Sequence, residues 1–234
     1  VGGKPGQGGQ PGEGLLLRLR AGAAPETLRS PIPGMLWWVH DAGGGVAWLA
    51  GEGGALLRFD EASGSLRAVA TGTRAVLYGV IALPGGEVIA VGGDDQQGGV
   101  VLRGGEGGVS VDASAPRSGV LYKVFAPDPA HLFVVGGGGA LLRYVVEGGA
   151  GRWLQDRSPL PPTERLLTVH GRSAQEVYAV GGLGAARRSA TAGVGRRVER
   201  QVVGVAGAAH AHRTGRQSQR FRGNLRGCTA VEWP

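Results

Sequence analysis

Val177-Tyr178-Ala179-Val180-Gly181-Gly182 decides the fold, because near copies of this stretch recur along the chain. Three copies precede it: Val46-Ala47-Trp48-Leu49-Ala50-Gly51, Glu87-Val88-Ile89-Ala90-Val91-Gly92-Gly93 and His131-Leu132-Phe133-Val134-Val135-Gly136-Gly137. The residue before the first glycine is Ala50, Val91, Val135 and Val180 in turn, so successive copies are 41, 44 and 45 residues apart. Self-similarity at this period indicates an array of small units, each of which buries its apolar faces against its neighbours.

Each copy lies between two further apolar runs. A Leu-x-x-Val run comes before it, at Leu36–Val39, Leu77–Val80, Leu121–Val124 and Leu166–Val169. A run with an arginine in register follows the glycines, at Ala55–Phe59, Val100–Arg103 and Ala140–Tyr144. Apolar runs of this length bounded by glycine predict strands. The glycine tracts between the second and third runs suit tight turns, because glycine adopts a positive φ without steric cost.

A fourth, weaker strand is predicted at 65–70 and at 152–155, where Trp153 is the apolar anchor. Four short antiparallel strands in about 40 to 45 residues are typical of one β-propeller blade. The sequence therefore predicts an all-β fold, an incomplete β-propeller of which about four to five blades are visible.

The repeat also predicts the domain boundaries. Residues 1–14 are rich in Gly and Pro and have no apolar residue beyond Val1, which predicts a flexible linker. Arg18 lies 40 positions before Arg58, so the chain is expected to enter partway through a blade. The predicted units are a partial blade at 15–34, blades at about 35–75, 76–119 and 120–164, and a partial blade at 165–185. No stretch at the start resembles a signal peptide.

These motifs resemble the propeller repeats of secreted bacterial proteins of the myxobacterial type, which are related to the WD40/YVTN and BNR superfamilies. The resemblance covers residues 15–184, although the chain lacks the Trp-Asp dipeptide of WD40 repeats and a clean Ser-x-Asp-x-Gly-x-Thr-Trp box. It implies a propeller in the cell envelope or outside the cell. A cytoplasmic location stays open, because the only cysteine, Cys228, lies outside the repeats and predicts no disulfide framework.

The basic character of the chain belongs to residues 186–234. This segment has ten arginines and two glutamates, a net charge of +8, whereas the whole chain carries +7. One interpretation is a genuine basic low-complexity tail. Another is a frameshift product, because back-translating Gln219–Val231 and advancing one nucleotide permits Phe-Val and Gly-Ala-Leu-Leu runs that align with 131–143. The third is nucleic-acid binding, since arginines neutralise phosphates and Arg220-Phe221-Arg222 interleaves a ring with two cations.

Histidine and aspartate candidates for metal binding have simpler explanations. His40 and His170 occupy a position that holds Ile81 and Phe125 in the other units, so a packed or partly exposed side chain is expected there rather than a metal ligand. Four further candidates lie in the tail or in one loop, without more ligands at a defined spacing: His210, His212, Asp94 and Asp95. No metal site and no cofactor is predicted.

No catalytic residue is predicted either. No nucleophile with its base and no Gly-Lys-Ser/Thr phosphate loop stands out. Carboxylates recur just before the second run of each unit, and this repetition favours a structural turn: Asp41, Glu87, Asp128 and Glu176. The tryptophans are expected between blades rather than in a ligand cage: Trp37, Trp38, Trp48, Trp153 and Trp233.

The function expected from these features is a non-enzymatic scaffold or recognition module that binds a protein or glycan partner through rim loops. Fold alone does not fix function, so this step is an analogy. One alternative is a propeller enzyme of the glycosidase or lyase type, which needs clustered carboxylates. The second alternative is nucleic-acid binding through the arginine-rich tail. The ligand-binding residues and the oligomeric state stay open.

Overall fold

The computed structural model describes residues 1–6, 12–156, 162–183 and 201–206, and its described strands form five antiparallel sheets. We call these sheets blades 1 to 5 in chain order. Two blades have three described strands: blade 1 has β1 (Gly2–Lys4), β2 (Glu13–Arg18) and β3 (Glu26–Pro33), and blade 5 has β16 (Glu164–Ser173), β17 (Glu176–Leu183) and β18 (Gln201–Ala206). Blade 2 has four strands, β4 (Leu36–Gly43), β5 (Val46–Gly51), β6 (Leu56–Asp60) and β7 (Ser65–Ala68), and so does blade 3, with β8 (Val76–Ala82), β9 (Val88–Asp94), β10 (Gly98–Gly105) and β11 (Gly108–Val111). Blade 4 also has four, β12 (Leu121–Asp128), β13 (His131–Gly136), β14 (Leu141–Glu147) and β15 (Ala150–Gln155).

Every blade is a meander, in which each strand pairs with the next one along the chain. The Leu-x-x-Val runs form β4, β8, β12 and β16, which contact one another from blade to blade and which we call the inner strands. Sequential four-stranded meanders whose first strands adjoin are the architecture of a β-propeller. The all-β propeller prediction is confirmed. In the described ranges no helix is long and apolar enough to cross a membrane.

A β-bulge in each inner strand explains why Leu and Val are three residues apart. The pairing of β4 with β5 shifts by one residue between Leu36 and Trp38, and β8, β12 and β16 shift at the same place. In a regular strand residues three apart face opposite sides, but the extra residue of a bulge returns the second one to the same side. Leu77 and Val80 therefore enter one apolar cluster together.

The core lies between blades rather than inside them. Four apolar clusters each join two consecutive blades. The cluster between blades 3 and 4 brings Ile89 and Val101 against Leu132, Leu142 and Trp153. This arrangement follows from the sheets having two faces each, both of which must be covered by a neighbour.

The recurring glycine after the second run is required by a close approach. A Cβ added to Gly92 would overlap the carbonyl of Val76 on the bulged inner strand, and a Cβ on Gly136 would overlap that of Val120. These glycines lack a positive φ, unlike Gly53, Gly54 and Gly138 in the following turns. The repeated Val-Gly therefore marks the place where the inner strand's main chain lies against the second strand.

The arginines that recur in the third run of the repeat contact the next blade in blades 1 to 3. The Arg18 guanidinium lies 5.4 Å from the ring centre of Phe59, and that of Arg103 lies 4.4 Å from the ring centre of Tyr144. Blade 3 has Gly104 where the ring stands in its neighbours, and Arg58 instead reaches Glu106 of that blade at 3.8 Å. Arginine stacked on an aromatic face is favourable where the pair is partly desolvated.

The start of the chain differs from the predicted linker. Gly2–Lys4 pairs with Glu13–Leu15, and the Gly34 backbone NH donates to the Gly12 carbonyl at 2.8 Å. Strand pairing uses main-chain groups, so it does not need the apolar side chains whose absence suggested a linker. At the other end β18 pairs with β17, so that residues 201–206 of the predicted basic tail continue blade 5. The other residues of the predicted tail, to which the frameshift and nucleic-acid interpretations refer, lie within 184–200 and 207–234, outside the described residues.

Candidate functional site

The bulges align one aromatic residue from each of three inner strands. Trp37, Tyr78 and Tyr122 are the residues inserted at the register shifts of β4, β8 and β12. Their ring centres are 5.8 Å apart from Trp37 to Tyr78 and 5.4 Å apart from Tyr78 to Tyr122. We call these three residues the aromatic row. Burial raises the pKa of the Tyr78 hydroxyl above its usual value, so the phenol is neutral over the physiological range.

One end of the row is open to solvent, whereas Tyr78 and Tyr122 are half-buried. Trp37 keeps 44% of its surface exposed, and Leu167, which occupies the same repeat position in β16, keeps 55%. The nearby acidic groups already have structural contacts, since Asp94 accepts backbone NH groups of Gln96 and Gln97 at 2.8 and 2.6 Å. This agrees with a structural loop at Asp94 rather than a cation site.

A cavity of about 540 Å³ lies further along the same inner strands. We call it the inner-strand cavity. Its walls come from all four inner strands and from the turn after β8, and they are mostly apolar. The aromatic, basic and acidic side chains of its wall are Trp38, His40, Lys123, Phe125, Asp128 and His170.

Lys123 is the buried cation of this cavity. It keeps only 8% of its surface exposed, and its ammonium lies against the indole face of Trp38. The inner strand between them carries Gly79 at the same repeat position, which leaves the path from Lys123 to Trp38 free of a side chain. Desolvation lowers the pKa of the Lys123 ammonium to about 8. No carboxylate of the described ranges contributes to that pKa or pairs with the ammonium.

The two histidines of the inner strands differ in burial, since His40 is half-buried and His170 is exposed. His170 lies on Phe125, with ring centres 4.7 Å apart. Burial lowers the pKa of His40, an effect opposed by the backbone of Ala82 and by Asp41, so His40 is neutral at pH 7. No three potential ligand side chains of the described ranges converge as a metal site would require. His210 and His212 lie outside those ranges.

The four recurring carboxylates do not come together in one site. Asp41 accepts the Gly43 NH at 2.8 Å, and Asp128 accepts the Ala130 NH at the same distance. These two hold the turn after an inner strand, as their repetition indicated. The other two lie at the start of second strands: Glu87, directly before β9, binds Arg103 at 2.8 Å, and Glu176, the first residue of β17, accepts the Tyr178 hydroxyl.

The tryptophans divide into two groups. Trp48 and Trp153 are buried in clusters between blades, as expected, and the Trp153 indole NH donates to Asp112 of the preceding blade at 2.8 Å. Trp37 and Trp38 face the aromatic row and the cavity instead. Trp233 lies outside the described residues. Sequence reasoning missed Lys123, although one signal was present: it is one of only two lysines in the chain and interrupts an apolar run.

Two solved structures of YCF48 are similar to this chain. One, with YCF48 bound to a D1 peptide, is 21% identical, covers 72% of this chain and 55% of its own, and gives a TM-score of 0.49. The other, YCF48 from Cyanidioschyzon merolae, is 18% identical, covers 72% and 58%, and gives 0.46. The chain thus spans little more than half the length of these proteins. No protein-family model and no curated protein matches it. Both TM-scores are below 0.5, so nothing further follows from the likeness; the antiparallel meanders themselves make the chain a β-propeller repeat protein.

Proposed function

We propose that the protein is a non-enzymatic recognition module whose aromatic row binds a segment of another protein. The observation that carries this proposal is the row itself. Three bulges present Trp37, Tyr78 and Tyr122 side by side, at a repeat position that the apolar cores between blades do not use.

The chemistry of the row suits a protein partner. Tryptophan and tyrosine are enriched in protein interfaces, where they supply a large rigid contact area at a small cost in side-chain entropy. An exposed apolar patch on a folded domain usually marks an interaction site. The row continues towards Leu167, which is 55% exposed, so the ligand expected is an extended segment with several apolar side chains.

The experiment is a selection of random twelve-residue peptides, displayed on phage, against the full chain. We expect the selected peptides to be rich in aromatic and aliphatic residues and to lose at least tenfold in affinity with Trp37→Ala or Tyr122→Ala, since interface aromatics are typical hot spots. Tyr178→Ala is the matched control, because Tyr178 is equally exposed at 44% but lies on β17, outside the row.

Two results would overturn the proposal. The first is a selection that enriches no peptide, and the second is an affinity that Trp37→Ala leaves unchanged. A parallel glycan array with the same variants identifies the other class of ligand: glycan binding that depends on Trp37, together with a failed peptide selection, makes the row a carbohydrate site.

We further propose a relationship to the exported bacterial propeller-repeat proteins. The Leu-x-x-Val motif and the Val-Tyr-Ala-Val-Gly stretch support it, and the bulge gives the first motif a structural meaning. Export is tested by expressing the natural gene with its upstream region in a bacterial host and fractionating the cells; recovery in the cytoplasm alone would contradict it.

A further inference from the structure

We propose that the inner-strand cavity binds a small organic carboxylate with an apolar body, held by the Lys123 ammonium. This site is separate from the aromatic row: it uses the residues after the bulge, and the inference does not depend on a protein partner.

The Lys123 ammonium is a buried positive charge, and an anion bound in the inner-strand cavity would balance it. Lys123 is 92% buried, being 8% exposed, and it lines the cavity. Burying a charge is costly unless an opposite charge compensates it. The indole of Trp38 offers the ammonium only its face, which leaves the donors on the cavity side free for a carboxylate.

The charged and titratable groups around Lys123 do not supply that compensation. His40 of β4 is neutral at pH 7 because burial lowers its pKa, and His170 of β16 lies against the Phe125 ring. Asp128 of β12 lines the cavity too, but its carboxylate binds the His131 ring and the Ala130 NH, both at 2.8 Å. β8 contributes Ile81 and Ala82 to the wall and no charge.

The size and lining of the cavity define the body of the ligand. Its volume of about 540 Å³ lies within the range of about 300–1,000 Å³ that holds small molecules. Trp38 on one side and the Phe125–His170 stack on the other offer flat faces to an aromatic or aliphatic body. The walls are mostly apolar, and the one carboxylate among them, Asp128, already binds His131 and the Ala130 NH. Lys123 in such a cavity favours an apolar acid over its neutral analogue.

The test compares 4-phenylbutyrate with 4-phenylbutyramide, which has the same body without the charge. We expect the acid to bind the full chain at least tenfold more tightly than the amide at pH 7. Both affinities can be measured by calorimetry or by the change in tryptophan fluorescence that ligand contact with Trp38 causes. The affinity for the acid should be nearly constant from about pH 6 to 7 and fall as the pH rises through about 8, because the Lys123 ammonium then loses its proton. The amide should show no such fall.

Variants assign the charge to one residue. Lys123→Met should bind acid and amide equally, Lys123→Arg should keep the preference for the acid, and Lys4→Met is the control that leaves both affinities unchanged. Equal affinities of the unmodified protein for acid and amide would overturn the proposal, as would binding of neither, or a preference that survives in Lys123→Met. The comparison of acid with amide and the pH profile need no variant, so the test holds even if Lys123→Met folds poorly.

Discussion

Lys123 makes the free energy of unfolding depend on pH, and the sign of this dependence follows from the pKa of the residue. Its pKa is about 8 in the folded protein and about 10.4 in an unfolded chain. The folded state therefore binds the proton less tightly, and folding is penalised wherever the unfolded chain is protonated. This penalty is complete below pH 8 and disappears as the pH rises through 10.4.

We expect Lys123→Met to raise the free energy of unfolding at pH 7 by about 1–2 kcal/mol, a value discounted because the cavity is open to solvent. The gain should vanish above about pH 10.5. Chemical denaturation of both proteins at pH 7, 9 and 10.5 measures it. A gain that is independent of pH would show that the effect comes from packing rather than from charge.

Gly92, near the end of the second strand of blade 3, is a position at which the fold requires glycine. Gly92→Ala should lower the free energy of unfolding by about 1–3 kcal/mol, since the new methyl group overlaps the Val76 carbonyl. Gly107→Ala in the same blade is the control, because a methyl group there meets no atom within 4 Å. Equal thermal stability of the two variants would contradict the close approach.

At the scale of an element, the third strands connect blades through their arginines. Sequence showed that an arginine recurs in register, but not that its partner is a ring of the next blade. Arg103 and Tyr144 are 41 positions apart, and only the packing of blade 3 against blade 4 brings them together. The bulge escaped prediction for a related reason: it is a property of pairing between two strands, whereas the Leu-x-x-Val spacing shows only one of them.

A double-mutant cycle of Arg103→Met and Tyr144→Leu measures this contact between strands. We expect a coupling energy of about 0.5–1 kcal/mol. Arg58→Met with Tyr144→Leu serves as the control cycle, and it should be additive within about 0.5 kcal/mol because the two residues share no partner. Equal coupling in both cycles would mean that the arginine–ring contact contributes nothing specific.

For the whole molecule, the repeat period, together with three clear apolar runs and a weaker fourth, predicted the all-β propeller. The period could not predict two features. One is the strand at the start of the chain, where Gly2–Lys4 pairs without apolar side chains, and the other is the inner-strand cavity. Trp38 and Lys123 are 85 positions apart and meet only because Gly79 stands between them. Sites of this kind depend on the order of blades and not on any local motif.

Blades that contact only their neighbours should respond locally to damage. Phe133→Ala removes a side chain that is 1% exposed in the cluster between blades 4 and 5, at a cost of about 3–5 kcal/mol. Hydrogen exchange should then accelerate in β13, β16 and β17 and change little in β5 and β6, as stability in stacked arrays is mainly a nearest-neighbour property. A uniform acceleration over all blades would show instead that the described propeller unfolds as one unit.

The bulge in the inner strands has an evolutionary consequence. The Leu and Val of each motif hold adjacent blades together, whereas the two positions between them are excluded from that task. Those positions read Trp-Trp, Tyr-Gly, Tyr-Lys and Leu-Thr in blades 2 to 5. Mutations there alter the surface offered to the proposed ligands without removing the Leu and Val contacts between blades, so binding specificity can diverge while those contacts are kept.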